Sequence, residues 1–137
     1  MKNVITIDKG LGDFLLRSPI QAYLDHYSFN LTRAETEMDY DDYALADNPL
    51  ISLWVDDGII ESIRCQDECW LDGKNIMGML MEEFAAFFEQ EPDGPAQELN
   101  FEEDGIPQYV YDYNAPDLQV WVKQGRIVTV IISYFDD

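Results

Sequence analysis

Residues 50–65, LISLWVDDGIIESIRC, predict a β-hairpin. Two runs rich in β-branched and aromatic side chains flank the Asp-Gly dipeptide at 57–58. Asp-Gly in this setting is a strong hairpin signal, because both loop residues must accept a positive φ. Residues 118–132, LQVWVKQGRIVTVII, align with this stretch without a gap, so that Trp54 falls on Trp121, 67 positions later. The chain therefore contains the same strand–turn–strand unit twice.

The length and composition indicate one compact domain. The chain has 137 residues, which is enough for one ordinary domain and too few for two. Hydrophobic residues make up 47% of the chain and aromatic residues 13%, so a core can form despite the charge. We therefore expect a single domain over residues 1–137.

The charge is strongly acidic, with 28 Asp and Glu residues against 8 Lys and Arg and a net charge of −20. Nucleic acid and anionic membrane both require basic surface, so neither is predicted as a partner. A basic protein fits better, because an acidic surface accelerates its approach. The alternative is that the charge serves solubility alone.

The sequence predicts no metal or cofactor. Cys65 and Cys69 have a spacing that a metal half-site can use, but there is no second pair and His26 is the single histidine. Since zinc usually takes four ligands, both thiols are expected to be reduced packing residues. The first residues contain no apolar run of signal-peptide length, and no run approaches a membrane span. A cytoplasmic protein is therefore expected.

The chain shows no catalytic signature, and we predict that it is not an enzyme. Acidic residues are so frequent that a pair of carboxylates carries little information about acid–base catalysis. Asp39, Asp41 and Asp42 match a calcium loop only loosely, without its central Gly and terminal Glu. His26 has no serine or cysteine motif to serve, and a tight turn explains the Gly-Leu-Gly at 10–12 better than a phosphate loop does.

The pattern predicts two helices and several strands. The first helix starts at Ser18, which can cap it with Pro19 and Gln21, and ends near residues 29–30. The second helix covers residues 75–89 and carries an apolar stripe at helical spacing. Besides the four hairpin strands, short strands are predicted at residues 3–7, 39–46, 66–71, 97–101 and 109–113.

The doubled hairpin leads to an α+β fold. We predict two diverged repeats, over about residues 3–71 and 72–135. Each repeat is a helix plus an antiparallel β-meander, and the helices pack on one face of a curved antiparallel sheet. The helices themselves do not align at the offset of the hairpins, because the segments between helix and hairpin differ in length.

Hairpin pairing divides the doubled unit into two faces, because directly paired residues share a face. The predicted aliphatic face, which helices should cover, carries Ile51, Leu53, Val55, Ile60, Leu118, Val120, Val122, Ile127 and Ile131. The other predicted face carries Ser52, Trp54, Asp56, Glu61, Gln119, Trp121, Lys123, Arg126 and Val128. Large aromatic side chains among polar groups are typical of a protein-binding surface. The alternative is that the tryptophans pack under a loop such as residues 91–105.

Several of these features together resemble the BLIP-like proteins, the group named after the β-lactamase-inhibitory protein. They are a strand leading into GLGDFLL at residues 10–16, a short helix after Ser18-Pro19, and a meander that ends in a W-V-x-x-G-x-I hairpin. The resemblance covers most of the chain as a pattern. It implies repeats of a helical segment plus a four-stranded sheet, joined into one curved sheet whose concave face binds a partner protein.

The acidic, motif-free character is similar to that of immunity proteins from bacterial polymorphic toxin and contact-dependent inhibition systems. That resemblance implies a non-enzymatic inhibitor that occludes the active site of a cognate, basic toxin domain, such as a nuclease. The candidate partner-binding residues are Trp54, Trp121, Asp39, Asp41, Asp42, Asp56, Asp57, Glu61, Glu102, Glu103 and Asp104. Two alternatives are a regulatory or small-ligand module with a pocket between sheet and helices, and an acid-based hydrolase.

Overall fold

An eight-stranded antiparallel sheet dominates the fold. The computed structural model describes residues 3–6, 9–35, 40–100, 103–114 and 117–133. The strands are β1 (Ile5–Thr6), β2 (Gly10–Leu11), β3 (Phe14–Leu15), β4 (Phe29–Thr32), β5 (Asp41–Leu45), β6 (Ile51–Asp56), β7 (Ile59–Cys65), β8 (Trp70–Leu71), β9 (Lys74–Asn75), β10 (Gln97–Leu99), β11 (Gln108–Asn114), β12 (Asp117–Lys123) and β13 (Arg126–Ser133). A 3-10 turn at Ile20–Ala22 and a single α-helix, α1 (Met81–Phe88), complete the secondary structure of this described part of the chain.

Two meanders of four strands form the large sheet. Its strand order is β10-β11-β12-β13-β7-β6-β5-β4, so each meander keeps its sequence order and the last strands of the two meanders meet at the centre. Four residue pairs join β13 to β7, from Val130 opposite Cys65 to Ser133 opposite Ser62. One continuous sheet results, although the two central strands are far apart in sequence.

Both predicted hairpins are confirmed, with two-residue loops at the predicted positions. Asp56 pairs with Ile59 and Lys123 pairs with Arg126. The loop residues of both turns have positive φ, 50° and 77° at positions 57 and 58, and 51° and 82° at positions 124 and 125. This is the type I′ geometry, whose twist matches that of the flanking strands.

Each hairpin also contains a β-bulge just after its tryptophan. The pairing register shifts between Trp54 and Val55, and again between Trp121 and Val122. The extra residue of each bulge lies on the returning strand, at Glu61 and Val128, because a bulge places two residues opposite one. The two strand–turn–strand units therefore share an irregularity as well as a turn.

The core lies on one face of the sheet, beneath an inner layer made of β1 to β3, the 3-10 turn, β8, β9 and α1. Residues from the sheet and from this layer form one buried cluster. The sheet contributes Ile51, Leu53, Val55, Ile60, Ile63, Cys65, Tyr113, Leu118, Val120, Val122, Ile127, Val130 and Ile132, and the layer contributes Ile5, Leu11, Phe14, Leu16, Ile20, Cys69, Leu71, Ile76, Met79 and Phe84.

The predicted α+β fold of two helix-plus-meander repeats is wrong. Strands make up 49% of the structure and helical residues only 9%, with one α-helix. The predicted helix after Ser18 is a single 3-10 turn, and its N-cap is Pro19 with no side-chain capping bond. Ser18 instead donates its hydroxyl to the Leu15 carbonyl at 2.5 Å.

Backbone hydrogen bonds to the first hairpin explain why this helix does not form. The N–H groups of Arg17 and Ile20 donate to the carbonyls of Ile60 and Gly58 at 2.7 and 2.9 Å. These bonds tie residues 17–20 to the first hairpin where the helix was predicted to begin, and Arg17 itself has a left-handed φ of 68°. Further along, residues 29–32 form the edge strand β4, where Phe29 pairs with Leu45.

The second predicted helix is shorter than expected. Lys74 and Asn75 belong to the two-stranded β8–β9 hairpin and not to the helix. The following residues pair with β13, since the N–H of Ile127 donates to the Met79 carbonyl at 2.9 Å. The helix therefore begins only at Met81. It ends at Phe88 and is followed by Glu89, which adopts a left-handed conformation with φ 58°.

The predicted assignment of Ile131 to the aliphatic face is also wrong. Because Val128 is the extra residue of a bulge, the alternation of β13 is shifted by one position beyond it. Ile131 pairs with Gln119, and both lie on the face that carries the tryptophans. Val130 and Ile132 take the core positions instead.

We expect Gly125→Ala to destabilise the protein by about 1 kcal/mol, because a β-carbon is disfavoured in the left-handed region. Gly125 has φ 82°, and a β-carbon there would meet no atom within 4 Å, so the effect is conformational and not steric. Urea denaturation measures it. Gly94→Ala is the control, because Gly94 is equally unobstructed and its φ lies outside the left-handed region. Equal losses in both variants would contradict the assignment of strain to the turn.

Candidate functional site

The sheet face opposite the core carries Trp54 and Trp121, two of the three tryptophans, and we call it the tryptophan face. Strand alternation and the pairing registers assign its members, because directly opposed residues share a face. Its central members are Ser52, Trp54, Ser62, Arg64, Gln119, Trp121, Thr129, Ile131 and Ser133. This face is built entirely from the eight-stranded sheet.

Arg64 lies midway between the two tryptophans. Trp54 is on β6 and Trp121 on β12, three strand spacings apart across β7 and β13. The registers also offset them by four residues along the strands, since Trp54 pairs with Ser62 and Trp121 with Thr129. Ideal strand spacing and rise then give about 20 Å between their Cα atoms. Arg64, opposite Ile131, occupies the middle of that span.

Hydroxyl groups form a buried floor around Arg64. Ser52 is fully buried and Thr129 is 2% exposed. The Ser62 and Ser133 hydroxyls contact each other at 2.7 Å across the β7–β13 pairing, and Gln66 Nε2 donates to Thr129 Oγ1 at 3.1 Å. Because these hydroxyls are hydrogen-bonded, the floor is held in a defined arrangement without losing stability to unsatisfied groups.

Three shielded polar atoms on the tryptophan face lack a hydrogen-bond partner within the described ranges. They are Asp42 Oδ1, Arg64 Nε and Gln108 Oε1. Asp42 shares the face because it pairs with Trp54, and Gln108 because it pairs with Lys123. Buried polar atoms are nearly always paired in folded proteins, so these three atoms mark the tryptophan face as a candidate site. The Tyr113 hydroxyl, on the core side, is another such atom in the part of the chain that the structure describes.

The tryptophans are partly buried, each against a different neighbour. The ring of Tyr40 stacks on Trp54 with 6.2 Å between centroids and 15° between planes. Trp121 Nε1 donates to Gln119 Oε1 at 3.2 Å. Tyr40 is itself 45% exposed, so the aromatic pair retains accessible surface. The tryptophans are thus neither fully open nor packed away in the core.

The predicted acidic residues are divided between the two ends of the sheet. Since β7 and β13 are antiparallel, the β6–β7 and β12–β13 turns lie at opposite ends. Asp56 and Asp57 are exposed at the first turn, beside the half of the face that carries Asp42. Near the second turn Asp104 bonds Lys123, with exposed Glu103 adjacent in sequence.

Two other predicted acids do not join the face. Asp41 pairs with Val55 and so lies on the core side, where it accepts the Ala34 N–H at 2.8 Å and lies 3.7 Å from Arg33 Nη1. Glu61, the bulge residue, lies 3.5 Å from Arg17 Nη1. Asp39 and Glu102 lie outside the described residues.

The sequence did not predict the residues at the centre of the tryptophan face. Arg64, Ser62, Thr129 and Ser133 were not among the predicted site residues, and Ile131 was placed on the wrong side. The signal available in the sequence was the pairing within each hairpin, but the two bulges shift that pairing. The pairing of β7 with β13, which brings these residues together, has no recognisable sequence pattern.

Asp104 anchors the loop before β11 to the end of β12. Lys123 Nζ donates to Asp104 Oδ2, and the Ile106 N–H donates to Oδ1 at 2.9 Å. Both bonds favour the ionised carboxylate, and they hold the pKa of Asp104 below its usual range, with Lys123 as the larger cause.

We expect Lys123→Met to raise the pKa of Asp104 towards its ordinary value, as measured by carbon-13 NMR titration of the carboxyl group. The pair contributes stability above that ordinary pKa and loses it as the pH falls through the depressed value, because protonation removes the charge that Lys123 contacts. Lys9→Met is the charge-matched control and should leave the titration of Asp104 unchanged. An unaltered titration in Lys123→Met would contradict the assigned cause.

The two cysteines lie in the core. Both are buried and free, and the Cys65 thiol contacts the carbonyl oxygens of Asp67 and Glu68 at 3.4 and 3.5 Å. A hydrogen bond between the two thiols lowers the pKa of Cys65. The same hydrogen bond, together with burial, raises the pKa of Cys69. Within the described ranges no three His, Cys, Asp or Glu side chains are grouped so as to hold a metal ion.

Two surface cavities lie away from α1. One of about 490 Å³ is at the β4 edge and includes Leu24, Phe29, Leu31 and Arg33. A second, of about 240 Å³, is bordered by residues such as Asn48 and Asp67. In the part of the chain that the structure describes, no helix is long and apolar enough to cross a membrane.

Comparisons with protein-family models, with curated proteins and with solved structures give no match for this chain.

Proposed function

We propose that this protein is a non-enzymatic inhibitor that binds a basic partner protein through its tryptophan face, as an immunity protein binds and neutralises a bacterial toxin domain. The observation that carries the proposal is that this face carries two tryptophans together with three shielded polar atoms that have no partner among the described residues. A partner that covers the face would supply the missing hydrogen bonds and bury the aromatic rings.

The charge supports a basic partner. A net charge of −20 repels nucleic acid and anionic membrane, and it attracts a positively charged protein from a distance. Asp56 and Asp57 at one end of the face and Glu103 at the other are exposed, where they can contact basic side chains. Such rim charges raise the association rate more than they strengthen the final complex.

The buried interior of the interface would come from the aromatic side chains. Tryptophan and tyrosine dominate the free energy of many interfaces, because they bury a large area at a low cost in side-chain entropy. The stacked Tyr40 and Trp54 rings present such an area on one half of the face, and Trp121 presents another. The proposal places the complex in the cytoplasm, where the two free thiols stay reduced.

We expect Trp54→Ala and Trp121→Ala each to lower the affinity for the partner about tenfold or more, because hot-spot aromatics dominate interface energetics. The candidate partner is the product of the neighbouring upstream gene, tested by co-expression rescue of growth and by surface plasmon resonance. Tyr109→Ala is the matched control, since Tyr109 is 38% exposed on the opposite side of the sheet. A toxic partner bound equally well by all three variants would refute binding through this face.

We expect the double variant Asp56→Asn/Asp57→Asn to slow association severalfold at low salt and to change the dissociation rate little, because exposed charges steer the encounter. Stopped-flow fluorescence at two ionic strengths separates the two rates. Glu82→Gln/Glu83→Gln removes the same charge from the exposed side of α1, on the far side of the sheet, and serves as control. Equal slowing by both pairs would show that net charge acts without regard to position.

A further inference from the structure

Arg64 is an unusual cation for so acidic a chain. Only 8 residues are Lys or Arg, against 28 acids, yet Arg64 contacts no carboxylate within the described ranges. The ion pairs found there involve Arg17, Arg33 and Lys123, which all lie towards the ends or edges of the sheet. The basic side chain at the centre of the tryptophan face therefore has no counter-charge among the described residues.

The guanidinium group of Arg64 makes one hydrogen bond within the described part of the chain. Nη2 donates to Ser52 Oγ at 2.9 Å, which fixes the orientation of the group on the floor. Nε is shielded from solvent and has no hydrogen-bond partner among the residues that the structure describes. A guanidinium group binds a carboxylate through two parallel hydrogen bonds, and a shielded donor that lacks an acceptor costs free energy until one arrives.

The surroundings favour one carboxylate over a polyanion. The acids of the same face, Asp42 and Asp112, lie about 12–14 Å from Arg64 when ideal strand spacing is applied to the registers, so they would repel a chain of phosphates. Ile131, opposite Arg64, is 4% exposed and provides an apolar neighbour that strengthens a charged hydrogen bond by excluding water. A partner surface that complements this face therefore has a single carboxylate at its centre and basic residues around it.

We propose that Arg64 is the receptor for an Asp or Glu side chain of the partner protein, which inserts between Trp54 and Trp121 at the centre of the tryptophan face. This inference rests on the proposed function. The partner then combines a basic surface with one central carboxylate: the bases meet the acids of the rim, and the carboxylate meets Arg64. The acidic rim of this protein steers the partner, and the basic Arg64 holds it at the centre. The central ion pair therefore fixes how the two proteins align.

The partner test compares two variants that each remove one positive charge. Arg64→Gln should lower the affinity for the upstream-gene product about tenfold or more, mainly through faster dissociation, because it leaves a buried carboxylate without its partner. Arg33→Gln is the control, since the Arg33 side chain is 75% exposed at the sheet edge. Arg64→Lys should recover only part of the affinity, because lysine cannot form the two parallel bonds. Urea denaturation and the amide NMR spectrum verify that each variant is folded.

A second arm needs no partner. In the wild-type protein with nitrogen-15-labelled arginine, increasing sodium acetate should shift the Arg64 Nε–H signal. Acetamide, or sodium chloride at matched ionic strength, should not. The signal must be missing from the Arg64→Gln spectrum, which assigns it.

The outcomes separate this inference from the proposed function. If Trp54→Ala and Trp121→Ala weaken binding but Arg64→Gln does not, the receptor role is overturned while binding through the face stands. If acetate shifts the Arg64 signal but the partner binds Arg64→Gln as well as wild type, the site takes small carboxylates only and the partner contact is overturned. If the tryptophan variants and Arg64→Gln all bind normally, both proposals fail together.

Discussion

Four residue pairs between β13 and β7 determine the rest of the structure. They join two meanders that would otherwise each end in an unpaired hydrophobic strand, and they make one sheet broad enough to support a continuous core on one side. The same pairs bring Arg64 beside Ile131 and Ser62 beside Ser133, so the floor of the tryptophan face exists only because this pairing forms. Loss of the central pairing would divide the core and the site at once.

Local signals in the sequence were sufficient for the hairpins and insufficient for the sheet. The Asp-Gly at 57–58 and the apolar runs around it determine the turn and both strands, because the φ requirement is local. The bulges at Glu61 and Val128 have no such signature. Each shifts the facing of the residues beyond it, which is why Ile131 was expected in the core and lies on the tryptophan face. The sequence therefore predicted the tryptophans of this candidate site and not the residues at its centre.

The predicted helices show a different limit. Apolar residues after Ser18 recur at helical spacing, but backbone hydrogen bonds tie the start of this segment to the first hairpin. A 3-10 turn followed by hydrogen-bonded turns up to Tyr27 forms in place of the helix. Tertiary pairing overrides a propensity that is worth only tenths of a kcal/mol per residue. For the acidic residues, in contrast, the sequence alone was sufficient. Neighbouring residues in a strand face opposite sides of the sheet. That Asp41 and Asp42 could not share one surface was therefore already implied by the predicted strand.

The outer strands of the large sheet are its shortest, with four residues in β4 and three in β10, while β13 at the centre has eight. A long free edge is a template on which another chain can add a strand, so this tapering limits fibril-like growth by geometry. Mutual repulsion between acidic molecules limits it by charge. The two safeguards respond differently to acidification. Protonating the carboxylates removes the repulsion and leaves strand length unchanged, so in acid the colloidal stability of this protein depends on how little edge it exposes.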